Sequence, residues 1–242
     1  MDGIRAAATS GPLAERLLRS WTSLFPPGDA PEVAAAGARL LAGYAQPHRR
    51  YHDLRHLAEV LSRVDDLAPA AGDADLVRLA AWFHDVVYDP TRADNEEASA
   101  NLAREVLAGL DVPAGRCADV VRIVRLTATH DPAPGDDDGA VLCDADLAVL
   151  GSEPARYAEY SDDVRREYAH LPDAQFARGR AEVLHRLALR NPLFRTPAAR
   201  SRWEARARAN MSFELQQLSR ALPDPPPPEL SNQATQLTPP TP

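Results

Sequence analysis

The sequence predicts an all-α fold, a single helical bundle followed by a disordered, proline-rich C-terminal tail. Apolar side chains return every three or four positions through most of the chain, which is the period of a helix. Prolines and short polar loops separate these periodic segments. No stretch alternates apolar and polar residues for long enough to require a β-strand, so strands are not expected.

The helices can be placed in order along the chain from this period. In the first, Leu17 and Trp21 lie on one face, and the second begins near Pro31, whose fixed φ suits a first helical position. Prolines such as Pro113 and Pro192 stand between later helices. The predicted helices are 13–25, 31–45, about 53–66, about 73–88, 93–109, 115–129, 139–150, 154–169, 173–190 and 199–221.

Three regions follow from this reading. We expect a flexible N-terminus at 1–12 and one helical domain at 13–222. The segment 223–242 reads PDPPPPELSNQATQLTPPTP. It carries few large apolar side chains and cannot bury a core, so we expect it to be disordered.

The composition excludes several classes of protein. All 27 basic residues are arginine, so neither a phosphate-binding P-loop lysine nor a Schiff-base lysine is available. The net charge of −8 argues against an extended nucleic-acid surface. No apolar run is long enough to span a membrane. With only Cys117 and Cys143, and no secretory signal, we expect a cytoplasmic protein.

Histidines and carboxylates recur inside apolar segments. His52 and His56 stand four residues apart, which predicts that both project from one face of a helix toward the core. His84 and Asp85 are adjacent in a segment that is otherwise apolar. A buried carboxylate must be paired, so Asp85 binds either a metal ion or an arginine that anchors the helix.

A third group places Asp144 and Asp146 in the apolar run VLCDADLAVL. Either of them can complete a ligand set with His56, His84 and Asp85. Two imidazoles and two carboxylates suit a divalent ion such as Mn, Fe, Co, Ni, Zn or Mg. The sequence does not choose among these metals.

The order His56, His84-Asp85, Asp146 resembles the H…HD…D signature of the HD superfamily of metal-dependent phosphohydrolases. YHDLRHLAEVL at 51–61 is similar to the YHN-x-x-H segment of cyclic nucleotide phosphodiesterases. Further blocks resemble a bacterial branch of predicted HD phosphohydrolases. They are FHDVVYD at 83–89, NEEASA at 95–100, DADLAVLG at 144–151, the segment 166–194 and ARARANMSFEL at 205–215.

The resemblance implies roles for individual residues. The closing ligand of the superfamily lies in an Ala-Asp-x-Leu context, which favours Asp146, with Asp144 on the substrate side and the reverse assignment left open. His52 would protonate the leaving alkoxide. Alternatively, it binds phosphate or has a purely structural role. Glu96 is a candidate for orienting the attacking water. Tyr88 stands where some HD nucleotidases have a glutamate, which weakens a nucleotidase assignment.

Three more residues are candidates for binding the substrate. His130 is expected to contact phosphate or a second metal ion, unless it is an ordinary loop histidine. Asp89 is a further candidate, with capping of the following turn as its alternative. Arg165 lies in a family-like block and has the planar donor fork that binds phosphate, although helix pairing is also open to it.

We therefore expect an HD-type phosphohydrolase domain that hydrolyses a small phosphate ester, a nucleotide or a related phosphorylated metabolite. A non-catalytic HD module that binds a metal ion and a nucleotide is the alternative, and a di-iron oxygenase is a third possibility. The oligomeric state is left open by the sequence.

Overall fold

The computed structural model describes residues 11–27 and 30–221. The all-α prediction is confirmed, because the protein is 72% helical and the described residues contain no strand. The helices are α1 Pro12–Thr22, α2 Ala30–Tyr44, α3 Leu54–Leu67, α4 Ala74–Phe83, α5 Asn95–Gly109, α6 Ala114–Leu126, α7 Asp137–Leu147, α8 Pro154–Glu167, α9 Asp173–Ala188 and α10 Pro197–Ala221. Short 3₁₀ turns, Ala68–Ala70 and Ala148–Gly151, follow α3 and α7.

Aspartates begin several of these helices. The carboxylate of Asp53 accepts the backbone N–H groups of Arg55 and His56 at the start of α3. Asp73 caps α4 and Asp136 caps α7 in the same way. Each cap satisfies backbone donors that the first turn of a helix leaves unpaired. The cap at Asp53 also sets the position of His56, which lies in the first turn.

Helix α4 lies at the centre of the core. It packs against α3, α5, α6 and α7, and its last four residues, Ala80 to Phe83, are completely buried. The ring of Trp82 meets Trp21 of α1 edge-on, with 5.3 Å between ring centroids. One hydrophobic core continues from Ala14 in α1 to Met211 in α10. The end of α4 is therefore a rigid platform for the residues that follow it.

Two histidines predicted to lie on helices lie outside them. His52 lies in the turn before α3, not on the helix, so it does not share a helical face with His56. Helix α4 ends at Phe83, so His84 and Asp85 follow the helix instead of lying inside it. The backbone N–H groups of Asp85 and Val87, which a longer helix would use, instead donate to the side-chain oxygens of Tyr44 and Ser99.

Parts of the predicted domain division fall outside the described residues. Residues 1–10 of the expected flexible N-terminus and the whole expected tail, 223–242, lie there. The boundaries of the 13–222 domain stay a prediction. Among the helices that the structure describes, none combines the length and apolar character needed to cross a membrane.

Gly151 is required by a close approach of two segments. It ends the 3₁₀ turn after α7, which packs closely on α10. A Cβ atom at this position would lie 2.8 Å from Trp203 Cα, a backbone atom that cannot swing away. In contrast, a Cβ atom on Gly115 in α6 would meet nothing within 4 Å.

We predict that Gly151→Ala lowers the free energy of unfolding by about 1–3 kcal/mol through overpacking. Gly115→Ala is the matched control, and it should leave stability unchanged or raise it by about 0.5–1 kcal/mol through helix propensity. Urea denaturation of both variants checks this. Equal stability of the two variants would contradict the close approach at Gly151.

Candidate metal centre

Four polar side chains from three segments meet in the core. We call His56, His84, Asp85 and Asp146 the histidine–aspartate cluster; their ligand atoms all lie within 4.8 Å of one another. His56 Nε2 is 3.0 Å from His84 Nε2, 3.2 Å from Asp85 Oδ2 and 3.2 Å from Asp146 Oδ1. His84 Nε2 is 3.1 Å from Asp85 Oδ2 and 3.6 Å from Asp146 Oδ1. Packing of α3 against α4 and α7 brings these segments together.

This arrangement fits a divalent metal ion. Donor atoms that share one ion at about 2.1 Å lie roughly 3.0–3.4 Å apart, close to the separations in the cluster. Nitrogen and carboxylate oxygen donors together suit first-row divalent metals. Both imidazoles are buried, and burying them beside two carboxylates is costly without a cation or protons to balance the charge. The cluster is therefore able to hold a metal ion.

Charges and hydrogen bonds in and beside the cluster shift the pKa values of its residues. Burial lowers the pKa of His56, but hydrogen bonds with Asp146 and Asp85 outweigh it and raise the pKa to about 9. Burial raises the pKa of Asp85, yet the nearby His84 holds it well below its usual range. The pKa of Asp146 is lowered well below its ordinary value against the same burial, chiefly by a hydrogen bond with His130. Both carboxylates are thus ionised, which suits a cation.

Hydrogen bonds from outside the cluster orient its donor atoms. The Nδ1 of His84 lies 2.8 Å from the carbonyl oxygen of Ala81. Since a carbonyl only accepts, Nδ1 carries a proton, so Nε2 is the nitrogen that faces the cluster and can bind a metal ion. His130, in a left-handed conformation at φ 51°, brings Nε2 to 2.7 Å from Asp146 Oδ2. The other Asp146 oxygen, Oδ1, faces His56 and His84.

A buried arginine joins the two loops that carry the histidines. Arg49 donates to the carbonyl oxygen of His52, at 2.7 Å, and to those of Asp85 and Val86, at 2.7 and 2.8 Å. Burial lowers its pKa, against the pull of neighbouring anionic groups. Sequence reasoning missed Arg49. Its position next to the YHD segment was the available signal, but arginine is too common in this chain to single it out.

A buried glutamate, Glu167, holds His52. Its Oε1 accepts the backbone N–H groups of Arg50, Tyr51 and His52, at 2.8–2.9 Å. Its Oε2 lies 2.6 Å from His52 Nδ1 and accepts the Tyr88 hydroxyl at 2.9 Å. Burial raises the pKa of Glu167, but the hydrogen bond from His52 and those from the backbone lower it to about 2.

Sequence reasoning also missed Glu167. It ends α8, 115 residues after His52, so no local spacing connects the two. The contact with Glu167 also explains the position of Tyr88. Its ring stacks on His52 with 4.2 Å between centroids while its hydroxyl binds Glu167.

A cavity of about 240 Å³ opens beside the cluster, and we call it the metal cavity. His52, His130 and Asp146 line one side. Helix α9 lines the other with Arg180, Arg186 and the following Arg190. Arg190 donates to the carbonyl oxygen of His130, at 2.8 Å, whereas Arg186 is exposed and makes no ion pair within the described part of the chain. The cavity therefore offers positive charge to an anion.

Asp144 lies elsewhere, which is a correction to its expected substrate-side position. It is buried, and its two oxygens accept the backbone N–H groups of Arg195 and Thr196, at 2.8 and 2.7 Å. These bonds anchor the segment that leads into α10. Residues two apart on a helix project about 200° from each other, so Asp144 and Asp146 cannot both face the cluster.

Three other predicted residues are not brought to the cluster. Asp89 accepts the N–H and hydroxyl of Thr91, as the capping alternative predicted. Arg165 binds the carbonyl oxygens of Tyr168 and Leu171 and pairs with Asp173, so it closes the α8–α9 loop. Glu96 lies in the first turn of α5 and, among the described residues, makes no hydrogen bond with the cluster. Asp89 and Arg165 thus serve local turns and loops instead.

The comparisons with known proteins agree with the cluster. Residues 53–160 match the family model described as HD domain. The match includes all four cluster residues and His130 but ends before Glu167 and the arginines of α9. Searches of curated proteins and of solved structures each found no significant match. The resemblance to the HD superfamily is confirmed, whereas the narrower bacterial branch stays a prediction.

The first prediction from this geometry concerns the choice of carboxylate. Asp146→Asn should weaken binding of Mn²⁺ or Zn²⁺ by more than about 100-fold, because loss of a ligand exceeds the cost of losing an outer partner. Asp144→Asn should change affinity little but lower the free energy of unfolding by about 1–3 kcal/mol, since a backbone N–H loses its partner. Calorimetric metal titration and urea denaturation measure the two effects. Metal loss in the Asp144 variant alone would reverse the assignment.

The second prediction concerns Glu167. A carboxyl whose pKa is lowered on folding stabilises the protein above its unfolded pKa and loses that contribution as pH falls through the folded pKa of about 2. Glu167→Gln should therefore be less stable than the parent by up to roughly 3 kcal/mol at pH 7. The gap should fall by roughly half by pH 3.

Denaturation of both proteins between pH 7 and pH 3 checks this prediction. Glu97→Gln is a matched control, because Glu97 is an exposed glutamate paired with Arg125 on the surface. It should leave stability nearly unchanged, because an exposed ion pair contributes little in water. A stability gap for Glu167→Gln that does not vary with pH would show that its charge is not what stabilises the loop.

Proposed function

Residues 53–160 are an HD domain, and from this premise we propose that the protein is a metal-dependent phosphohydrolase acting on a small phosphate ester. HD domains are typically metal-dependent phosphohydrolases. The observation that carries the proposal is the convergence of His56, His84, Asp85 and Asp146. We propose these four residues as the metal ligands. For the native metal we propose a divalent ion, and for the substrate we propose a nucleotide or a related phosphorylated metabolite.

The residues around the cluster have complementary tasks in this proposal. When bound, a divalent ion supplies Lewis acidity, which offsets negative charge on a phosphoryl group and makes water more acidic. Arg186 is the exposed cation at the metal cavity, and its planar fork suits the remaining phosphoryl oxygens. Arg190 acts through His130, whose carbonyl oxygen it binds and whose ring contacts Asp146.

His52 is proposed as the proton donor. Hydrolysis adds water at phosphorus and breaks the ester P–O bond, and the departing alkoxide needs a proton. His52 lines the metal cavity, and its Nδ1 is held by Glu167. A carboxylate at Nδ1 fixes the orientation of the imidazole ring. Glu167 is thus a positioning residue for His52, and it does not itself touch the substrate in this proposal.

The test of the function is hydrolysis by metal-reconstituted protein. We expect phosphate release from members of a panel of phosphomonoesters and nucleotides, with His84→Ala and Asp85→Ala inactive because they lose the metal ion. Activity that persists undiminished in both variants belongs to a contaminant. Inactivity of the parent with every metal and substrate, together with retained nucleotide binding, would favour the alternative of a regulatory binding module.

His52→Ala separates proton donation from metal binding. We predict a fall in kcat of roughly 10²–10⁴-fold, the usual worth of a positioned acid, with metal content unchanged. His48→Ala is the control, because His48 contacts the Tyr88 carbonyl oxygen, at 2.8 Å, and does not line the metal cavity. Elemental analysis accompanies the rate measurements. Loss of metal from His52→Ala would make His52 a ligand instead.

A further inference from the structure

A second cavity, of about 360 Å³, lies between α8 and α9, and we call it the α8–α9 cleft. Its α8 side is formed by Tyr160 and Val164, and the loop after α8 adds Tyr168 and Leu171. Its α9 side is formed by Phe176, Gly179, Arg180 and Val183. The walls are mainly aliphatic and aromatic. This lining and volume are those of a small-molecule site, which usually occupies about 300–1,000 Å³.

The cleft and the metal cavity adjoin each other. Both are lined by His52, Tyr160, Arg180 and Val183. Val183 is 37% exposed, although it is apolar and lies between the two cavities. A molecule with a phosphoryl group beside the cluster can therefore extend past His52 into the cleft. His52 stands at the junction, where the bond to a leaving group would lie.

The cleft is held open by the structure of its α9 wall. Helix α9 packs mainly against α10 and not against α8, although α8 precedes it in the chain. Arg180 is fixed to α10 by a buried, bidentate ion pair with Glu214, at 2.8 and 3.1 Å. Arg165 lies over the Phe176 ring, 4.8 Å from its centroid. Gly179 adds no side chain, and a Cβ atom there would meet nothing within 4 Å.

We propose that the α8–α9 cleft binds an apolar or aromatic leaving group of the phosphate ester. The proposal rests on the proposed function and deepens it by naming the substrate class. The charged end of such a substrate matches the arginines and cluster of the metal cavity, and its organic end matches the cleft. Small, fully polar esters leave the cleft empty and gain nothing from it.

The experiment narrows the cleft without touching the catalytic groups. Gly179→Leu places a side chain into the cleft on a helix that tolerates leucine better than glycine. Gly115→Leu is the matched control, because Gly115 is a helical glycine with equally open surroundings and does not line the cleft. Both metal-loaded variants and the parent are assayed with 1-naphthyl phosphate and with glycerol 3-phosphate. Metal content and thermal unfolding are measured for each.

We expect Gly179→Leu to lower kcat/KM for 1-naphthyl phosphate by roughly 10- to 100-fold, as loss of an apolar subsite does. The value for glycerol 3-phosphate should stay within about twofold, and Gly115→Leu should change neither. Because each variant is compared with the parent on the same ester, the different reactivities of the two esters cancel. An equal effect of Gly179→Leu on both esters, or no effect on either, would overturn the proposal.

A binding measurement distinguishes failure of this proposal from failure of the proposed function. If the parent hydrolyses neither these two esters nor any member of the phosphomonoester and nucleotide panel with any metal, the hydrolase assignment is wrong. Equilibrium dialysis of 1-naphthyl phosphate against metal-loaded protein then tests whether the cleft is a binding subsite. Weaker binding to Gly179→Leu than to the parent and to Gly115→Leu supports the cleft as a subsite. Absent binding, or binding equal in all three proteins, rejects it.

Discussion

The central constraint on this protein is the burial of two imidazoles and two carboxylates at one point in an apolar core. Isolated, each charge would be costly there, so the four groups must lie close enough to balance one another or to share a cation. The imidazoles of His56 and His84 lie 3.0 Å apart, each imidazole lies within 3.6 Å of both carboxylates, and all the ligand atoms lie within 4.8 Å of one another, which meets that requirement. The packing of α3, α4 and α7 is what satisfies it.

Beside this cluster, buried ionic side chains hold the backbone where it has no regular secondary structure. The turn before α3 and the loop after α4 are not part of a helix, yet buried side chains hold both. Arg49 binds carbonyl groups in both, and Glu167 accepts three successive backbone N–H groups beside His52. A charged partner in a low-dielectric interior makes such bonds stronger than neutral ones. Position of the functional side chains thus depends on residues with no chemical role of their own.

Much of the helical fold was predictable, and the failures are informative. Periodicity located the helices within a few residues, because each buries one apolar stripe. It placed His52 and His84 on helices wrongly, since the end of α4 depends on Tyr44 and Ser99, which accept the backbone N–H groups of Asp85 and Val87. His56, His84 and Asp85 followed from their place among apolar residues, whereas the choice of Asp146 over Asp144 came from the resemblance. Glu96, Asp89 and Arg165 were chosen by resemblance, and the structure uses Asp89 and Arg165 in local turns and loops.

The sequence by itself determined the helices, their aspartate caps and the small set of histidines and carboxylates that must be buried together. These features depend on neighbours within one or two helical turns, which spacing reveals. Only the tertiary structure decided that Asp146 faces His56 while Asp144 anchors α10, that Glu167 holds His52, and that a cleft opens between α8 and α9. Each of these depends on contacts between segments far apart in the chain, for which local spacing carries no signal.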